Sequence, residues 1–106
     1  MNLEQIETRA EKALTYLAET DDVCAQLKFE SLKAEHSYKS QVDARFLVLE
    51  GAIETRKAQA RVGAESSYIC YLEAQREYDR VRMKREHEAI VVEWLRSLYA
   101  SRRLGA

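Results

Sequence analysis

The sequence predicts an all-α fold: a short N-terminal helix packed on one end of a long antiparallel helical hairpin. Three observations predict it. The 106 residues include no proline and only three glycines, so few positions can break a helix. Charged residues make up 33% of the chain and hydrophobic ones 46%, the balance of long amphipathic helices rather than of disorder. Apolar residues also recur at steps of three and four along most of the length, which places them on one helix face. A chain of this size forms about one domain, so residues 1–106 are read as a single helical domain.

The first helix is expected over residues 3–19, with Leu3, Ile6, Ala10, Ala13, Leu14 and Leu17 on its apolar face and Glu4, Glu7, Glu11 and Lys12 opposite. Thr20, Asp21 and Asp22 then offer side-chain oxygens to first-turn amides, which is N-cap chemistry, and a turn is expected there. The second helix is expected over residues 23–62, with a ridge of Leu27, Ala34, Tyr38, Val42, Phe46, Leu49 and Ile53 in which Ser31 fills the remaining register position. Gly51 either costs this helix about 1 kcal/mol relative to alanine or marks a close crossing. Gly63 supplies the stop.

The third helix is expected over residues 66–103. Its seam reads Tyr71, Ala74, Tyr78 and Val81, breaks at Arg85, and resumes at Ala89, Val92, Leu95 and Tyr99. Beyond His87 a second stripe appears, Ile90, Val91, Trp94 and Leu98, as though two neighbours were available there. Trp94 is therefore expected to be a core anchor between all three helices. A hairpin turning near Gly63 would have arms of roughly 55 to 60 Å, and the first helix would cover less than half of them. Phe46, Leu47, Val48 and Leu49 are consecutive, so at least two face away from the neighbouring arm. These four residues are the expected interface of a homo-oligomer, a dimer in the first instance, in which hairpins pair into a bundle.

Seventeen basic residues stand against 18 acidic ones, so no global field draws in nucleic acid. The distribution is uneven: residues 1–22 hold six acidic residues and two basic ones, whereas Arg96, Arg102 and Arg103 are the only charges after Glu93. No apolar run approaches the ~20 residues needed to span a bilayer, and the acidic start is unlike a signal peptide. A cytoplasmic protein making no membrane contact is expected, with Cys24 and Cys70 reduced and unbridged.

No constellation carries enzyme chemistry. His36 and His87, flanked by Glu35, Glu86 and Glu88, suggest a metal, but bundle metal sites place Glu and His three apart on the inward face, and here the acids are adjacent to the histidines. Neither cysteine belongs to a nucleophile motif, and three glycines build no phosphate loop. No catalysis, metal or cofactor is expected. The basic residues Arg56, Lys57, Arg61, Arg76, Arg80, Arg82, Lys84 and Arg85 are the candidate nucleic-acid contacts, with Tyr68, Tyr71 and Tyr78 to stack bases. Against this, acids three or four residues away pair many of them in the manner of a solvated helix face.

The segments KALTYLAETDDVCAQLK, residues 12–28, and VVEWLRSLYASRRLG, residues 91–105, resemble short uncharacterised proteins of tailed phages and prophages encoded among early recombination and replication genes. The resemblance implies a setting in a bacterial host cell and carries no catalytic motif. The expected function is a non-enzymatic accessory or adaptor binding a host or phage protein. The alternatives are direct binding of DNA or RNA, and inhibition of a host defence system in the manner of an anti-CRISPR protein.

Overall fold

The computed structural model of the chain describes residues 1–105, and it is all-α. Helix α1 spans Leu3–Val48, α2 spans Ile53–Gly63 and α3 spans Glu65–Gly105. The first helix opens on a reciprocal cap. The Gln5 amide donates to Asn2 Oδ1 at 2.8 Å, and the Asn2 amide donates to Gln5 Oε1 at 3.0 Å. Each side chain satisfies one donor that the first turn leaves without a partner.

The expected turn at Thr20, Asp21 and Asp22 is absent, and the boundaries 3–19 and 23–62 give way to one helix through both. The polar side chains there find partners without leaving the helix. Thr20 Oγ1 donates to the Tyr16 carbonyl at 2.6 Å, one turn back. Arg85 donates to the Leu17 carbonyl at 2.6 Å, to Thr20 Oγ1 at 2.7 Å and to Asp21 at 3.1 Å. With no glycine or proline before residue 51, nothing forces the backbone out of the helical region.

The break comes instead at Gly51, whose φ of 111° is a conformation open to glycine. An added Cβ would meet nothing within 4 Å, so the residue is required for its backbone and not for a close crossing. Gly63 is the last residue of α2, but not with the left-handed backbone of a glycine stop: Ala64 is the cap, and a Cβ on Gly63 would lie 2.9 Å from the Arg45 guanidinium. The first helix is thus not short but runs 46 residues.

The chain divides into two compact units. The first comprises Met1–Ala25 and the chain from Asp79 onward, and the second is Gln26–Tyr78. In the first unit two helix segments run antiparallel, with Arg9 beside Glu88 and Asp21 beside Arg85. Its core is a single seam in which Ile6, Ala13 and Leu95 are buried. Trp94 is not the expected anchor: it is 57% exposed, while its neighbour Leu95 is 1% exposed. The expectation supplied two neighbours to this part of α3. The continuous α1 supplies one, and a residue next in sequence to the seam is turned about 100° away from it.

In the second unit α2 joins the later part of α1 and the beginning of α3. Ala60 and Ala64 are fully buried, and Ser31 is buried in its expected register position. Small residues at such contacts let backbones approach. Around them the Tyr38 and Tyr68 rings lie 5.0 Å apart, Tyr71 meets Tyr68 edge-on at 6.4 Å, and Ser67 donates to Gln41 at 2.6 Å. Among the described residues no helix is long and apolar enough to cross a membrane.

Candidate interaction surfaces

The eight basic residues read as nucleic-acid contacts divide between the two units. Arg56, Lys57, Arg61 and Arg76 belong to the second unit, and Arg80, Arg82, Lys84 and Arg85 to the first. Several are already engaged. Arg85 is committed to α1, and the Lys84 ammonium lies 4.5 Å from the Tyr16 ring centroid. Arg82 bridges Asp79 at 3.4 Å and Glu86 at 2.9 Å. The Arg56 guanidinium lies over the Phe46 ring at 4.6 Å, with a buried Nε that has no hydrogen-bond partner. Lys57 and Arg61 line a shallow groove with Val42, Asp43 and Phe46, where Asp43 offsets part of their charge.

The expected interface residues separate similarly. Phe46 is covered by Arg56, and Leu49 lies beyond the end of α1 and is half-buried. Leu47 and Val48, in the last turn of α1, are 79% and 80% exposed. These two retain the character expected of a contact surface. His36 falls in the second unit and His87 in the first. Among the described residues no group of three or more His, Cys, Asp or Glu side chains is placed to hold a metal. Cys24 and Cys70 are free thiols.

Sequence reasoning missed two features of the first unit. One is the ion pair in which Arg9 donates to both Glu88 oxygens at 3.0 and 2.8 Å, with the Glu88 side chain only 12% exposed. Glu88 stands at a seam spacing from Val81, Val92 and Leu95, so the seven-residue repeat continues through it; reading the seam for apolar residues alone passes over it. The other is an apolar groove along one side of the unit, with Ile6, Ala10, Leu14, Val92, Leu95 and Tyr99 in its lining and Glu7 and Arg96 among its polar residues. Leu14, expected on the buried face, is 53% exposed there.

The whole chain exposes 7954 Å², whereas a folded monomer of 12.3 kDa is expected to expose about 6,100 Å². Leu14, Leu32, Leu72, Ile90 and Trp94 are among the exposed large apolar side chains. No protein-family model, curated protein or solved structure matches this chain.

Proposed function

We propose that this chain is a non-enzymatic accessory or adaptor protein that works by binding other proteins, in the cytoplasm of a bacterial host and in the phage setting its terminal segments resemble. The observation that supports this reading is the surplus of exposed surface together with the exposed large apolar side chains. Leu47 and Val48 serve as the contact toward a host or phage protein. They are adjacent and nearly fully exposed, and neither has the cover that Arg56 gives Phe46. The phage setting extends to an adaptor in recombination or replication and equally to an inhibitor of a host defence system. The inhibitor form predicts a stoichiometric complex and no affinity for DNA.

A photo-crosslinking residue at Leu47, with one at the solvated Lys28 as control, tests the reading in host cells. The expected result is a discrete adduct to a protein from position 47 and none from position 28. A gel shift on single- and double-stranded DNA at two salt concentrations tests the competing reading, in which Lys57 and Arg61 contact a phosphate backbone. Absence of adducts together with DNA binding that falls steeply with salt would replace the adaptor by a nucleic-acid binder.

A further inference from the structure

We infer that the groove of the first unit, lined by Ile6, Ala10, Leu14, Val92, Leu95 and Tyr99, takes a second copy of this chain. The inference rests on the reading of the protein as one that acts through protein contacts, and it names one partner and one surface. Both helices contribute apolar walls to this groove, and its floor is already ordered by the buried Ile6 and Leu95. The Trp94 stripe, by contrast, belongs to one helix and does not line the groove.

Charge identifies the occupant. Glu7 on α1 and Arg96 on α3 line the same groove and so stand at one level along the unit. A twofold axis running along the helices keeps every residue at its level. It sets α1 of one copy over α3 of the other, so Glu7 faces Arg96 of the partner subunit, and the same pairing recurs across the axis. Neighbouring charges follow the pattern. Glu4 and Glu11 flank Glu7 at helical spacing on α1, and Arg103 follows Arg96 two turns on along α3, with Glu93 one turn before it as the exception. Among the described residues Arg96 pairs with Glu93 at 3.3 Å, a pair 72% and 69% exposed, which is readily exchanged for another partner. Arg103 lies over the Tyr99 ring at 5.9 Å.

Area is consistent with the same occupant. A standard interface removes about 800 Å² from each partner, well within the surplus of about 1,900 Å² that this chain exposes beyond a typical monomer. A copy seated in the groove covers Leu14 and the open edges of Val92 and Tyr99, and it leaves Leu47 and Val48 uncovered for a different partner.

Sedimentation equilibrium of the full chain, with Leu14→Glu, Glu7→Arg, Arg96→Glu and the double reversal Glu7→Arg with Arg96→Glu, tests the inference. The wild type is expected to be a dimer at micromolar concentration. Leu14→Glu and each single reversal should weaken it by about tenfold or more, and the double reversal should restore it. Leu47→Asp should leave it unchanged. If circular dichroism shows that Leu14→Glu loses helix, the reversal pair decides, because both of its residues are exposed and neither holds the fold. A monomeric wild type, a dimer unaffected by the single reversals, a failure of the double reversal to restore it, or a dimer broken by Leu47→Asp would each overturn the inference. A monomer that still gives adducts from position 47 would leave the adaptor reading standing and remove only the self-association.

Discussion

The two units solve the same problem with different means. The second brings three helix segments together, buries two alanines and a serine, and adds tilted and edge-on tyrosine contacts. The first has two segments and one thin seam, and places much of its holding in polar contacts, with Arg9 on Glu88 and Arg85 on a carbonyl, a hydroxyl and a carboxylate of α1. The third segment adds buried small residues without closing the second unit: Phe29, Leu32, Ile69 and Leu72 stay exposed there as Leu14, Ile90 and Trp94 do in the first, so the difference lies in what holds the segments together.

The sharpest way to break this contrast is at adjacent positions of α3. Leu95→Ala should cost about 2 to 5 kcal/mol in chemical denaturation, because it empties the seam of the first unit. Trp94→Ala should cost less than about 1 kcal/mol, as for an exposed side chain. Wild-type tryptophan emission should also be red-shifted and open to acrylamide quenching. Equal costs at the two positions would mean that a further element covers Trp94. Next in size is Glu88→Ala, which leaves Arg9 without its carboxylate in a partly buried place and should cost about 1 to 2 kcal/mol. A double-mutant cycle with Arg9→Ala should return a coupling of similar size, and no coupling would remove the polar account of the first unit.

In the second unit Gly51→Ala forces a side chain into a positive-φ backbone and should cost about 1 to 2 kcal/mol. An unchanged midpoint would show that the segment between α1 and α2 relaxes. The smallest effect concerns Glu35, whose carboxyl is held below its ordinary value mainly by the hydrogen bond from Lys39 at 2.7 Å and by the charge of that ammonium. A lowered folded-state value gives stability that is present above the usual carboxylate range and is lost as pH falls through the folded value. Lys39 is exposed and Glu35 only partly covered, so a Glu35→Gln variant should differ little in stability at neutral pH, and the difference should vanish in acid. An NMR titration placing Glu35 at or above an ordinary glutamate would contradict the pairing.

Much of the helical character was legible in the sequence, because three-and-four spacing without proline leaves few other solutions. The positions of the bends were not. Thr20, Asp21 and Asp22 have the chemistry of a cap, but Thr20 and Asp21 are engaged inside the helix by Arg85, more than sixty residues away, which no local pattern reveals. Gly51 was visible, but a glycine inside an apolar repeat reads equally as a tolerated residue, and its positive φ is a property of the folded backbone. Trp94 and Leu95 were separated only once the number of neighbours was known, since each completes a stripe. The candidate basic site was legible as a list of charges and not as a surface, because charge says nothing of which cations are already spoken for.

One contact has a bearing on how the chain finds its alignment. A zipper of apolar residues repeating every seven positions can slide by one repeat and still match its spacing. Moved one repeat along α1, Arg85 would meet leucine, lysine or alanine side chains where it now meets Thr20 and Asp21. Slipped alignments therefore strand a cation, and the first unit has a single notch into which its teeth can settle.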